Sequence, residues 1–382
     1  SIGGDHFYNL ALWARPDGSL WGVGHHNGGC FGDGNNSHYW TPKQLLPSGV
    51  AKVAMGVNHS LIVMSDGSLW AAGQNGYGQL GDGTYQMRPV RIKVVDANVT
   101  AAFAGENFSL FLKTDGTLWG MGSNFAGQLG NGTMVDSHIP VQANVTNAAS
   151  FSAQFYHSYV IKTNGSLWRS TESGWEQVVD ANVTAVDSGR EHTTFTKTDG
   201  SLWAIGSNSF GQLGDGSYAH RNDPVQVVGS GVISATASGA HALFAKADGS
   251  LWAMGDNSRG QFGTGDNSNP KSPVEVLPSG VAAGNPSVLG YVLKSNGALL
   301  YQGSATSHNN AGTTHATPGV YLPGGVVQVA NPHLNLVYLK NDGSLWRKRH
   351  SGQVEQLETS GVAVAAGKHE STLYVKEDGS LW

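Results

Sequence analysis

Three side chains that stand outside any repeated pattern could carry acid–base chemistry. Glu191 lies in Gly-Arg-Glu-His, and His369 and Glu370 lie together in Gly-Lys-His-Glu. Two carboxylates, or a carboxylate and an imidazole, are suitable for proton transfer in the cleavage of glycosidic bonds. They are the candidate catalytic residues for a carbohydrate-active enzyme, a glycoside hydrolase or lyase. The interpretation as solvated turn residues is the one we favour, because nothing in the sequence fixes their mutual distances.

A second group of side chains suits binding rather than catalysis. Rigid aromatic rings give a large contact area at low entropic cost, so they anchor protein partners and stack on sugar rings. Seven aromatic residues lie in or beside long glycine-rich segments: Tyr39, Trp40, Tyr77, Tyr85, Phe125, Phe210 and Tyr218. We predict that they form a ligand-binding rim for a protein or a glycan. Packing over neighbouring loops is the alternative role.

The histidines and the cysteine predict no metal site and no cofactor. His59, His157, His192 and His241 each precede a turn glycine by eight residues, so they recur once per repeat and lie far apart. Such residues are expected to tie one strand to its neighbour rather than to share a metal ion. The single cysteine, Cys30, excludes a site with several cysteine ligands and an intrachain disulfide.

The composition is that of a turn-rich β protein. The chain has 382 residues, of which 54 are glycine, and 13% of its residues are charged, against about 25% in ordinary soluble domains. The formal net charge of −5 argues against general affinity for nucleic acid or anionic membranes. The sequence has no run of 18 apolar residues, so no membrane span is predicted.

An internal repeat explains the glycines. Asp-Gly-Ser-Leu-Trp or a near copy recurs with its glycine at positions 18, 67, 116, 165, 200, 249, 297, 343 and 379. In one copy, the apolar segment 61–64 and the segment 69–72 flank the turn at Asp66 and Gly67, a dipeptide that favours a tight β-hairpin. Repeats of 40–50 residues made of short strands are typical of propeller blades. The sequence therefore predicts an all-β propeller of four-stranded blades.

The repeat is similar to that of the regulator of chromosome condensation family. The resemblance lies in Gly-x-x-His-Ser-Leu at 56–61, in Asp-Gly-Ser-Leu-Trp, and in Gly-Gln-Leu-Gly-Asp-Gly, which occurs at 78–83 and 211–216 and nearly intact at 127–132. It covers essentially the whole chain. The resemblance implies a seven-bladed propeller, on which the family builds nucleotide exchange, photoreception, enzyme inhibition and surface binding. The fold alone therefore does not give the function.

The spacing departs from the family pattern. The intervals between turn glycines are 49, 49, 49, 35, 49, 48, 46 and 36, which give eight units rather than seven. The two short intervals predict two four-blade blocks, 18–199 and 200–378, within a single domain of residues 1–382. Segments 1–17 and 362–382 repeat each other, so the chain is either an eight-bladed ring with a spare hairpin arm or a fragment of a longer array.

We predict a non-enzymatic binding or structural module that presents loops to a protein or glycan. It would be extracellular or at the cell surface, since eight Asn-x-Ser/Thr sequons favour an outside location. The terminal strands could also pair between chains in a larger assembly. The alternatives are the carbohydrate-active enzyme and, from the family resemblance, a guanine-nucleotide exchange factor.

Overall fold

The computed structural model describes most of the chain. The described residues are 2–4, 10–15, 17–24, 28–35, 38–154, 156–258, 260, 262, 264, 266–281, 291–293, 299–304, 314–322, 326–330, 335–349, 354–358, 360, 362–368 and 371–376. All regular structure in these ranges is β-strand, and they contain no helix that could cross a membrane. Close contacts divide the chain into two compact units, Ser1–Asn182 and Val183–Trp382.

The first unit contains four antiparallel sheets, each with its four strands in chain order. The first sheet has β1 (Ile2–Gly4), β2 (Leu10–Ala14), β3 (Leu20–Gly24) and β4 (Tyr39–Leu46). The second has β5 (Val50–Met55), β6 (His59–Met64), β7 (Leu69–Gly73) and β8 (Arg88–Val95). The third has β9 (Val99–Ala104), β10 (Phe108–Lys113), β11 (Leu118–Gly122) and β12 (Ser137–Gln142). The fourth has β13 (Ala148–Gln154), β14 (His157–Lys162), β15 (Leu167–Thr171) and β16 (Gly174–Val179).

The second unit continues the same pattern. The fifth sheet has β17 (Val183–Ser188), β18 (His192–Lys197), β19 (Leu202–Gly206) and β20 (Arg221–Val228). The sixth has β21 (Val232–Ser238), β22 (His241–Lys246), β23 (Leu251–Gly255) and β24 (Val274–Leu277). The seventh has three described strands, β25 (Tyr291–Leu293), β26 (Leu299–Ser304) and β27 (Thr314–Leu322). The eighth has β28 (Val326–Ala330), β29 (Asn335–Lys340), β30 (Leu345–Arg349) and β31 (Val354–Glu358), and a last pair has β32 (Val362–Lys368) and β33 (Ser371–Lys376).

The repeated Asp-Gly-Ser-Leu-Trp segment makes the hairpin between the second and third strands of a sheet. In the second sheet, Gly67 takes a φ of +80°, which a side chain would resist. Asp66 Oδ1 accepts the Ser68 backbone N–H at 2.8 Å, and Ser68 Oγ accepts Trp70 Nε1–H at 3.1 Å. The turn is thus closed by its own side chains, which explains why the same five residue types recur.

A cation lies over most of the repeated tryptophans. In several sheets, the last residue of the second strand is a lysine whose amine lies 3.8–4.6 Å from the centre of the Trp ring. These pairs are Lys113–Trp119, Lys162–Trp168, Lys197–Trp203, Lys246–Trp252 and Lys340–Trp346. Attraction between a cation and the ring face contributes about 0.5–1 kcal/mol at an exposed site. The lysine and the tryptophan therefore stabilise the same hairpin together.

The hydrophobic core within each unit lies between neighbouring sheets. In the first unit, one cluster joins the second and third sheets through residues such as Leu61, Leu80, Phe111 and Met121. Burial on both sheet faces explains why the strands are apolar at successive positions rather than alternating. Buried serines also join the sheets: Ser60 donates to the Cys30 carbonyl at 2.6 Å, and equivalent serines occur in the next two sheets.

The all-β prediction with four-stranded antiparallel blades is confirmed. The short fourth repeat is explained by a two-residue connection between β15 and β16, in place of the long glycine-rich loop. The number of blades, the two blocks 18–199 and 200–378, and self-assembly through terminal strands remain predictions.

Candidate binding surface

Two kinds of connection lie at the same end of a sheet. The long loop after the third strand begins beside the short turn between the first two strands. In the second sheet, the Gln74 N–H donates to the Asn58 carbonyl at 2.9 Å, and in the third the Ser123 N–H donates to the Asn107 carbonyl at 2.9 Å. The same bond joins Ser207 to Glu191 at 2.8 Å in the fifth sheet. The predicted aromatic rim and the turn that carries Glu191 therefore lie at equivalent ends of their sheets.

The long loops are held rigid by a buried asparagine. Asn75 donates from Nδ2 to Asp82 Oδ1 and to the Thr84 carbonyl, both at 2.9 Å, and its Oδ1 accepts the Leu80 N–H at 2.9 Å. Asn124, Asn208 and Asn257 occupy the same place in other sheets. The loops therefore fix their exposed side chains in position. These asparagines were not among the residues predicted from the sequence, although each one precedes its repeated Leu or Phe by five residues.

A second fastening closes the base of the loop. Asp82 lies 2.5 Å from Arg88 Nε, and Asp215 makes the equivalent ion pair with Arg221 at 2.6 Å. Burial raises the pKa of Asp82, but hydrogen bonds from Thr84 and Arg88 outweigh it, so the pKa lies below its ordinary value. The carboxylate therefore remains charged at neutral pH.

Tyr39 takes the place of that arginine in the first sheet. It stands six residues after Asp33, as Arg88 stands six after Asp82, and its hydroxyl donates to the Asp33 carboxylate. The ring stacks on Phe31 at 5.7 Å and lies 4.3 Å beneath the Lys43 amine. Tyr39 is thus part of its own loop structure. Trp40 lies in β4, but its side chain is outside the described residues.

The other predicted aromatic residues are exposed on the loops. Tyr77, Tyr85 and Phe125 lie in the first unit, and Phe210 and Tyr218 lie in the second. Tyr85 lies 5.0 Å from the His138 ring of the next sheet, and the Tyr218 hydroxyl donates to the Asn269 carbonyl at 3.1 Å. Each of these two side chains therefore has a contact with the next sheet, while about half of it stays exposed.

The long loop of the third sheet, residues 123–136 between β11 and β12, presents an apolar surface that was predicted only in part. We call this loop the third loop, and the equivalent loop of the second sheet, residues 74–87, the second loop. Phe125 is 55% exposed and meets Tyr156 of the fourth sheet edge-on at 5.8 Å. Met134 and Val135 follow in the same loop, and Val135 is 71% exposed. Met134 occupies the position of Tyr85 and Tyr218 in the repeat, so a search limited to aromatic residues could not find it. We call Phe125, Met134, Val135 and Tyr156 the third-loop surface.

The predicted catalytic residues are not brought together among the described residues. Glu191 is exposed in the turn between β17 and β18. His369 and Glu370 lie outside the described residues, so their distance from Glu191 is not defined. The enzyme hypothesis remains a prediction.

The repeated histidine ties neighbouring sheets where its partner is present. His59 is fully buried, and its Nε2 lies 2.9 Å from Ser109 Oγ of the third sheet, as expected from the repeat. His192 is equally buried, but alanine replaces the serine at position 242, so His192 lacks the hydroxyl partner that His59 has. Burial lowers the pKa of His59 and of His192 to about 4. The described residues contain no group of three or more potential metal ligands.

Family models match the repeats directly. The regulator of chromosome condensation (RCC1) repeat is found at residues 50–79, 99–128, 183–212 and 232–261 by one model and at 66–112, 115–155 and 199–245 by another. No curated protein matches the sequence at a significant level.

Solved structures agree with the family models. Human WBSCR16 has a TM-score of 0.54 at 19% identity, with 88% of this chain and 89% of that chain covered. Yeast RCC1 (Prp20), solved with Kap60 bound, has a TM-score of 0.56 at 15% identity, with 97% and 89% covered. The structure of Prp20p from Saccharomyces cerevisiae was described with its binding to Gsp1p and histones. It has a TM-score of 0.54 at 14% identity, with 96% of this chain and 91% of that chain covered. The chain therefore carries repeats of the regulator of chromosome condensation family and has the β-propeller fold of these solved structures.

Proposed function

We propose that this chain is a non-enzymatic binding module. It holds a protein partner at the end of its first unit where the long loops lie. The observation that carries the proposal is the exposed apolar side chains of the second and third loops. Tyr77, Tyr85, Phe125, Met134 and Val135 are all at least 46% exposed on these two loops. Monomeric proteins rarely leave large apolar side chains exposed together, and such surfaces mark interaction sites.

The rigidity of the loops supports the same proposal. Gly78 of the second loop lies so close to β12 that a Cβ atom there would be 2.5 Å from His138 Cα. Gly127 of the third loop lies equally close to the Thr171 carbonyl of the fourth sheet. Each loop therefore rests on the next sheet, and little ordering entropy is lost when a partner binds a surface that is already fixed.

A protein partner is favoured over a glycan by the type of side chain. Met134 and Val135 are aliphatic, and they add contact area suited to apolar groups of a protein but give no flat ring for a sugar to stack on. The fold also includes proteins that bind proteins, such as yeast RCC1 with Kap60. A location outside the cell and a glycan ligand remain predictions.

Site-specific photocrosslinking tests the proposal. A photoreactive phenylalanine analogue replaces Val135 on the third loop or, as the control, Ile139, which is 50% exposed on β12 of the same sheet. The protein is irradiated in the cells that produce it, and adducts are identified by mass spectrometry. We expect a discrete protein adduct from position 135 that is absent from position 139. Carbohydrate adducts, no adduct, or equal adducts from both positions would contradict the proposal.

A further inference from the structure

Acidic side chains flank the third-loop surface on two sides. Glu106 lies in the turn of the third sheet, next to Asn107, whose carbonyl holds the Ser123 N–H only two residues before Phe125. Glu172 lies in the connection between β15 and β16 of the fourth sheet. A Cβ atom on Gly127 would lie 3.0 Å from Glu172 Cα, so this carboxylate borders the same loop. Both glutamates are exposed.

No lysine or arginine within the connections at this end of the second to fourth sheets balances these carboxylates. The connections 56–58, 74–87, 105–107, 123–136, 155–156 and 172–173 contain no lysine or arginine. They contain four carboxylates, at Asp82, Glu106, Asp136 and Glu172. Arg88, the first residue of β8, is paired with Asp82, and Asp136 accepts the Asn124 N–H at 2.7 Å. The loop connections of the second to fourth sheets therefore expose large apolar side chains and carry a net negative charge.

We propose that the third-loop surface binds a basic segment of the partner protein, in which arginine or lysine alternates with apolar residues. This inference rests on the proposed function and names the chemistry of its partner. Arginine suits both parts of the surface, because its planar guanidinium stacks on an aromatic ring and also pairs with a carboxylate. Apolar residues of the segment contact Met134 and Val135, while complementary charge raises the rate of encounter and fixes orientation.

Selection from a random library of 12-residue peptides tests the charge preference without knowledge of the partner. The immobilised baits are the full chain, the variant Glu106→Gln/Glu172→Gln, and the control Asp180→Asn/Glu275→Gln. The control removes the same charge from two exposed residues outside these loops. We expect peptides selected on the unmodified chain and on the control to be enriched in arginine and lysine, and those selected on the Glu106→Gln/Glu172→Gln variant to lose that enrichment.

The affinity of one enriched peptide completes the test. By fluorescence anisotropy, its Kd should rise about tenfold for Glu106→Gln/Glu172→Gln, since each exposed ion pair contributes a modest share. The Kd should also rise with salt concentration and stay within about twofold for the control variant. Selection without a bias towards basic residues, a bias towards acidic ones, or equal Kd values for both variants would overturn the inference. If the photocrosslinked adduct at position 135 forms normally in the Glu106→Gln/Glu172→Gln variant, the binding function stands and only the basic partner is wrong.

Discussion

Replacing Ser109 by alanine removes two buried hydrogen bonds that join the second and third sheets. Ser109 Oγ lies 2.9 Å from His59 Nε2 and donates to the Gln79 carbonyl at 2.8 Å. His59 and Ser109 are both fully buried. The substitution leaves a ring nitrogen and a carbonyl oxygen without these partners where water has no access. Because an unsatisfied buried polar group costs about 1–3 kcal/mol, we expect a loss of about 2–4 kcal/mol in the free energy of unfolding.

Urea unfolding of a double-mutant cycle measures the His59 share of that loss. The second substitution is His59→Phe, because Phe108 occupies the same position in the third sheet and packs over Gly105 as His59 packs over Gly56. We expect Ser109→Ala to cost at least about 1 kcal/mol less in the His59→Phe background, since residues in contact show coupling of that size. The exposed Ser279→Ala serves as a control that should change stability by less than about 0.5 kcal/mol. Additive losses, or a Ser109→Ala loss below about 0.5 kcal/mol, would refute the structural role of the histidine.

Three further predictions concern the same frame. Ala242→Ser should stabilise the chain by about 1 kcal/mol in urea unfolding, because it supplies the hydroxyl that His192 lacks and that Ser109 gives to His59; an unchanged midpoint would contradict this. Burial lowers the folded-state pKa of His59 and His192 to about 4. As the pH falls, the unfolded chain therefore binds protons before the folded chain does. The free energy of unfolding should fall by roughly 3 kcal/mol for each histidine as the pH decreases from about 6.5 to 4. In a series of unfolding curves, His59→Phe should remove roughly 3 kcal/mol of that dependence, and an equally steep profile would contradict the assignment. Gly78→Ala should cost about 3 kcal/mol or more, because Gly78 has a φ of +81° and the new Cβ would lie 2.5 Å from His138 Cα; thermal unfolding should show it, whereas Gly83→Ala, with a similar φ and no atom within 4 Å, should cost about 1 kcal/mol.

The repeating part of the structure could be predicted from the sequence because each blade uses the same residues for the same contacts. The hairpin at Gly67 follows from Asp-Gly, and the tie from His59 to the next sheet follows from its place in the repeat. Whether His192 makes the same tie could not be predicted from its own repeat. Its hydroxyl partner would have to come from residue 242, 50 positions later in another sheet, where the chain has alanine.

The binding surface was harder to predict than the fold. Residue type suggested Tyr39 as a ligand-binding ring, whereas in the structure its hydroxyl contacts Asp33 and Lys43 at the start of β4. Met134 and Val135 carried no aromatic signal, and Tyr156 lies in a short turn of the fourth sheet that only folding brings to Phe125. These assignments depend on contacts between repeats, which spacing within one repeat does not reveal.

The most direct test of the proposed function is the affinity of the photocrosslinked partner for two matched serine variants. The partner is purified, and its Kd is measured by isothermal titration calorimetry against the unmodified chain, Phe125→Ser and Ile139→Ser. Both positions are at least 50% exposed in the third sheet, so neither change should unfold the chain. We predict that Phe125→Ser weakens binding at least tenfold, because a central aromatic anchor contributes about 2 kcal/mol, while Ile139→Ser leaves the Kd within about twofold. Equal affinities for the two variants would contradict binding at the third-loop surface.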